Sequence, residues 1–164
     1  MTITELIQDE IKRKLEETEG LYHRLVLLVG ATGSGKTGVL QHVAGNIGTK
    51  VINLNLTLSS ELLDLTPKQR VLRLPEILDQ VVNKTQTTVI FDNLEILFDK
   101  DLKQDPLRLL LSISRNRPVV ASWNGTITAG KLIYAETNHP EYRSYDSIDA
   151  LIVIMPSIDS TKDN

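Results

Sequence analysis

The residues best suited to chemistry form one short run, Gly30-Ala31-Thr32-Gly33-Ser34-Gly35-Lys36-Thr37. Its spacing is G-x-x-x-x-G-K-[ST], the pattern of a loop that cradles phosphate. Gly30, Gly33 and Gly35 let the backbone wrap an anion with amide hydrogens pointing inward and no Cβ in the way. A helix opening at Lys36 adds the positive end of its dipole, and the amides through Gly38 extend the cradle. The lysine places a point charge at the β- and γ-phosphates, and the Thr37 hydroxyl is a ligand for Mg²⁺. A bland reading exists, a glycine-rich turn that only joins strand to helix. The context favours the anion site, because an apolar strand precedes the loop and a helix follows it. ATP with Mg²⁺ is the expected ligand pair.

A second element is Val89-Ile-Phe-Asp92, an apolar strand that ends in an acid. A carboxylate there can hold the hydration shell of Mg²⁺, which makes Asp92 the partner of Thr37 at the metal. The alternative is an ordinary strand-end Asp that caps the next helix. Many ATPases of this kind place a glutamate directly after this aspartate to polarise the attacking water. This chain has Asn93 there, and the nearest acid is Glu95. Three roles stay open for Glu95: general base, orienter of Asn93, or an acid that favours a helix start. Slow or partner-dependent hydrolysis is the expectation.

The fourth strand ends Ser122-Trp123-Asn124, where Asn124 or Ser122 is placed to sense a γ-phosphate. Against that, Asn124-Gly125 is a favoured turn dipeptide. Trp123 reads as packing rather than as a platform for a base. Arg115 and Arg117 precede this strand and have two readings. They are cations at a helix C-terminus, or charges that stabilise the γ-phosphate of a neighbouring subunit. His139-Pro-Glu-Tyr-Arg143 has no second His or Cys nearby, so it reads as a structured turn or a partner surface rather than a metal site.

The elements that must position these groups follow from periodicity. Thr2 and Glu5 form a capping-box pair ahead of Ile7, Ile11 and Leu15, and Gly20 stops that first helix. Arg24–Val29 is a nearly continuous apolar run, the signature of a parallel strand covered on both faces. Val39, Leu40, Val43, Ala44 and Ile47 give the next helix its buried stripe. Further strands are predicted over 50–55, 87–92, 118–123 and 150–155, with a hairpin arm over 131–135. Helix is predicted between the strands over 50–55 and 87–92, with a restart signal at Thr66-Pro67 and Gln69 and a kink or division at Pro75, and over most of 94–113 with a restart at Asp105-Pro106. Strands alternating with helices imply a three-layer α/β fold around a mostly parallel five-stranded core sheet. The expected arrangement is the additional-strand (ASCE) form of the P-loop NTPase fold. Residues 1–20 are expected to be a helical appendage, 21–156 the domain, and 157–164 a frayed tail.

At 164 residues this is one domain. Lys and Arg number 18 against 21 Asp and Glu, a net charge of −3, which argues against a stand-alone nucleic-acid binder. The chain has no cysteine, and so no disulfide, thiolate metal site or Cys nucleophile. No run approaches a membrane span, and the start lacks the pattern of a signal peptide. A cytoplasmic protein is expected. Only nine residues follow Met155, too few for a helical lid. A second protein surface, another copy or a larger partner, is therefore the expected closure over the phosphates.

One short chain combines Gly30–Thr37, Val89-Ile-Phe-Asp-Asn-Leu-Glu-Ile-Leu-Phe98, Asp105-Pro-Leu-Arg-Leu-Leu110, Ser114-Arg-Asn-Arg117, Trp123 with Gly125, Leu132-Ile-Tyr-Ala135 and His139-Pro-Glu-Tyr-Arg143. Over about residues 20–155 it resembles the BrxF family, small P-loop proteins of bacterial bacteriophage exclusion (BREX) defence systems. The resemblance implies an accessory ATPase beside a large ATPase, a DNA methyltransferase and a phosphatase-like protein, with any DNA contact indirect. Asp92-Asn-Leu-Glu95 also looks like regulatory signal-transduction ATPases, in which nucleotide acts more as a switch than as a fuel. Two other functions compete: a small-molecule or nucleoside kinase, and a module that holds nucleotide without hydrolysing it. Strand order separates the kinase from the ATPase, since the latter inserts a strand between the P-loop strand and the Asp92 strand.

Overall fold

The computed structural model describes residues 1–84 and 87–156; the expected tail over 157–164 lies outside them. Strand β1 (Leu25–Gly30) is buried along its whole length, with a parallel neighbour on each edge and a helical layer on each face. Helix α1 (Ile3–Glu17) precedes it and α2 (Lys36–Ile47) follows it. Then come β2 (Val51–Asn53), α3 (Leu54–Leu62), α4 (Pro67–Asn83), β3 (Val89–Asp92), α5 (Pro106–Ser114) and β4 (Val119–Thr128). Strands β5 (Lys131–Tyr134), β6 (Arg143–Tyr145) and β7 (Leu151–Ile154) complete the chain.

The core order is β2-β3-β4-β1-β7, with every neighbouring pair parallel. Strand β4 lies between β1 and β3, so the additional strand is present. Register brings the chemistry to one end of the sheet: Gly30 pairs with Asn124, and Asn53 with Asp92. Alternation along each strand divides the core between two faces. Val26, Leu28, Ile90, Val120 and Val153 pack with α2 and with Ile7 and Ile11 of α1. Leu25, Leu27, Val29, Val89 and Phe91 face the other way, against residues of α3, α4 and α5. The result is three layers.

Three local expectations change. The restart expected at Thr66-Pro67 is present, with Thr66 and Gln69 forming a reciprocal capping box between α3 and α4, but α4 continues through Pro75 rather than dividing there. A proline inside a helix leaves the carbonyl of residue i−4 without its donor. Here that carbonyl is Val71, and Gln104 Nε2 donates to it at 3.0 Å. The 94–113 region is less helical than its apolar content suggests. It forms two 3₁₀ turns, Glu95–Phe98 and Lys100–Leu102, before Asp105 caps α5.

Strand β4 does not stop at Asn124. It continues to Thr128 and pairs antiparallel with β5, and the turn falls at Ala129-Gly130, where both φ angles are positive (51° and 78°). Gly125 is thus a strand residue rather than a turn residue. A Cβ there would lie 1.8 Å from the Ile133 carbonyl oxygen, so glycine is required by the approach of the β5 backbone. The β5–β6 pairing carries this hairpin onward from the core to give a seven-stranded sheet.

Candidate functional site

The run from Gly30 to Thr37 forms the tight connection from β1 into α2. Gly35 is the N-cap of α2 with φ 98°, a left-handed conformation that side chains seldom adopt. Lys36 is the first helical residue and is almost fully buried. Its Nζ donates to the carbonyls of Gly30 at 2.8 Å and Ala31 at 2.6 Å, and to Ser34 Oγ at 3.3 Å. Burial lowers the lysine pKa, while the charges of Asp92 and Glu95 oppose that shift. The ammonium is therefore held inside the loop by acceptors that phosphate oxygens would replace.

One residue on, Thr37 Oγ1 donates to Asp92 Oδ2 at 2.6 Å. The other carboxylate oxygen, Oδ1, accepts from Ser122 Oγ at 2.7 Å. Asp92 is buried at the end of β3, so both of its oxygens are held in place by hydroxyls. A threonine hydroxyl beside a carboxylate is a hard oxygen donor set of the kind Mg²⁺ takes together with phosphate oxygens. Among the described residues no group of three or more His, Asp or Glu side chains is placed to hold a metal. A Mg²⁺ ion here would rest on Thr37, Asp92 and the nucleotide itself.

Glu95 opens the 3₁₀ turn after β3, and both of its carboxylate oxygens are occupied. Asn124 Nδ2 donates to Oε1, and Asn55 Nδ2 donates to Oε2 at 2.7 Å. Asn55 is fixed in turn, since its Oδ1 accepts from the Ile96 amide at 2.7 Å and its own amide donates to the Asn93 carbonyl at 2.9 Å. Asn93 itself has φ 56°, which turns the chain between Asp92 and Glu95. A cavity of about 370 Å³ joins these groups, lined by Thr32, Lys36, Thr37, Asp92, Glu95 and Asn124.

The predicted cradle, metal pair, acid and asparagine thus meet at one end of the sheet. Of the two residues considered for the γ-phosphate, Asn124 reaches Glu95 and Ser122 reaches Asp92. Trp123, between them, points into the core edge-on to Phe98 and Tyr134. Asn55 had no sequence signal, because only the pairing of β2 with β3 carries it to the acid.

Arg115 and Arg117 are not brought into this group. Both precede the first residue of β4, while Asn124 sits five residues along it, roughly 17 Å away at strand rise. Arg115 Nη1 donates to Tyr22 Oη at 2.9 Å, with its guanidinium over the same ring. Arg117 donates to the Val82 carbonyl at 2.6 Å and to Asn83 Oδ1 at 3.0 Å, at the C-terminus of α4. This placement keeps both arginines from the chain's own nucleotide and engages them at the ends of α4 and α5.

Among solved structures, Caenorhabditis elegans PCH-2 is similar at a TM-score of 0.45 and 15% identity, over 94% of this chain. The present chain spans 40% of that protein. Residues 26–141 match the ATPase family associated with various cellular activities (AAA), a stretch that runs from β1 past the hairpin. That match covers more than half of the chain, and the chain belongs to the AAA ATPases.

Proposed function

We propose that this protein binds Mg·ATP and hydrolyses it slowly by itself, as a switch whose turnover rises on assembly. The observation that carries the reading is the hold on Glu95. Glu95 lines the P-loop cavity together with Asp92, and with Asp92 given to the metal it is the acid left to take a proton from an attacking water. Asn55 and Asn124 occupy both of its oxygens, so the acid is restrained away from catalysis. When bound, Mg²⁺ would neutralise charge on the β- and γ-phosphates, with Thr37 and Asp92 as its protein partners. Lys36 exchanges the Gly30 and Ala31 carbonyls for phosphate oxygens. Hydrolysis forms a bond from water oxygen to the γ-phosphorus, breaks the bond to ADP, and passes the water proton to Glu95.

Strand order supports the ATPase over a nucleoside kinase, because β4 is inserted between β1 and β3. In its biological setting we take the protein as a cytoplasmic BREX component, acting with a large ATPase, a methyltransferase and a phosphatase-like protein. The sequence resemblance supports that setting. A second copy or one of these partners would close the phosphate crevice, with Arg115 and Arg117 as candidate charges supplied to a neighbour's site. The test is single-turnover hydrolysis of γ-labelled ATP, alone and with proteins that co-purify from the native host. Release of phosphate that needs Asp92 and rises with a co-purifying partner is the expected result. ATP bound without any release, under every condition, overturns it in favour of a non-hydrolysing module.

A further inference from the structure

The turn that contains His139 is given no part in this reading, yet it borders the site. A cleft of about 550 Å³ adjoins the P-loop cavity, and Thr32, Glu95 and Asn124 line both spaces. The end of β5 and the turn from Glu136 to Pro140 supply the remaining walls. This turn is anchored on several sides. The His139 amide donates to the Glu136 carbonyl at 2.8 Å, and the Tyr142 amide to the His139 carbonyl at 3.1 Å. Arg143 Nη2 then ties the following strand to the Gln104 carbonyl at 2.8 Å, and Tyr145 Oη reaches Asp105 at 3.0 Å. Pro140 restricts the backbone of the histidine before it.

The imidazole is oriented as well. His139 Nδ1 accepts the Glu141 amide hydrogen at 3.0 Å. A neutral histidine whose Nδ1 is an acceptor carries its hydrogen on Nε2. The carboxylates that border the cleft, Glu95 and Glu136, offer only acceptors when ionised, and the Asn124 amide is engaged by Glu95. The Thr32 and Tyr134 hydroxyls and the Asn138 amide are the cleft's other polar side chains besides His139. His139 is thus an exposed side chain with Nδ1 held as an acceptor and Nε2 left to donate, on a braced turn, in a cleft that shares three wall residues with the phosphate cavity.

We propose that His139 Nε2–H donates a hydrogen bond to the terminal phosphate of the bound nucleotide, from the hairpin side and opposite Lys36. It is a specificity group that distinguishes a nucleoside triphosphate from a diphosphate. The inference rests on the P-loop reading above. Its test compares Mg·ADP with Mg·ADP plus beryllium fluoride, a mimic of the terminal phosphate, by isothermal titration calorimetry. Wild-type protein should bind both. His139→Ala should leave the ADP Kd within about twofold and weaken the beryllium fluoride complex about tenfold, the scale of one hydrogen bond to a charged group. His139→Gln, whose amide nitrogen can take the place of Nε2, should recover most of that loss. Equal affinity of His139→Ala and wild type for the beryllium fluoride complex overturns the inference and leaves the P-loop reading standing. So does an equal loss for both ligands, which marks a purely structural histidine, or a Gln variant no better than Ala. Failure of the wild type to bind Mg·ADP overturns both.

Discussion

The Thr37 hydroxyl donates to Asp92 Oδ2 at 2.6 Å across 55 residues of sequence. The pair exists because β1 and β3 both run parallel to β4, which brings the start of α2 beside the end of β3. Asp92→Ala removes the acceptor for two hydroxyls, those of Thr37 and Ser122, at a buried position. A stability loss of about 1–3 kcal/mol is expected, together with loss of the Mg²⁺-dependent part of ATP affinity. Chemical denaturation with and without Mg·ATP measures both. Full Mg²⁺ dependence in the variant would remove Asp92 from the metal site.

Lys36→Ala leaves the Gly30 and Ala31 carbonyls to water at the rim of the sheet. The fold should survive, with the circular dichroism spectrum unchanged, whereas Mg·ATP binding should fall by at least a hundredfold. Equilibrium dialysis with labelled ATP reads that loss directly. Unchanged binding would defeat the assignment of the loop.

Glu95 and Asn55 should have opposite effects. Glu95→Gln keeps ATP binding and lowers turnover by about 10²-fold or more, as expected for loss of a general base. Asn55→Ala releases one carboxylate oxygen, and basal turnover should rise severalfold. A steady-state phosphate-release assay distinguishes them. If Glu95→Gln turns over at the wild-type rate, the acid serves only the 3₁₀ turn.

Gly125→Ala places a methyl group against the Ile133 carbonyl oxygen, so the β4–β5 pairing must open. A loss of about 3 kcal/mol is expected, at the level of other severe overpacking changes. The only tryptophan, Trp123, donates from Nε1 to that same carbonyl, so its fluorescence should report the change. A wild-type emission spectrum and melting curve would show that the hairpin tolerates the methyl group.

Assembly makes its own prediction. Turnover per subunit should rise with protein concentration if like subunits complete one another. Mixing Lys36→Ala with the Arg115→Ala/Arg117→Ala double variant should then restore activity that neither has alone, since a guanidinium supplied in trans is worth about 10³–10⁵ in rate. Undiminished activity in the double variant would assign both arginines to their bonds with Tyr22, Val82 and Asn83.

The features whose physics is local are legible in the residues alone. Gly30 through Thr37 are adjacent, so the anion cradle is visible without any fold. The apolar run of β1, ending in that loop, requires a strand buried on both faces, and alternation with helices then leads to the layered sheet. Asp92 was legible for the same reason, as the polar end of an apolar run. Tertiary structure decided what depends on distant segments. Asn55 meets Glu95 only through the pairing of β2 with β3. Gly125 reads as a turn residue until the β5 backbone is known to pass within contact of it. Gln104 replaces the donor that Pro75 lacks, and so a proline that locally argues for a break sits inside a continuous helix. Arg115 and Arg117 lie near Asn124 in sequence but at the far end of β4, because a strand carries five residues roughly 17 Å in a straight line. Residue type and spacing report local geometry, whereas a hydrogen bond between segments depends on strand order and register, which periodicity alone does not encode.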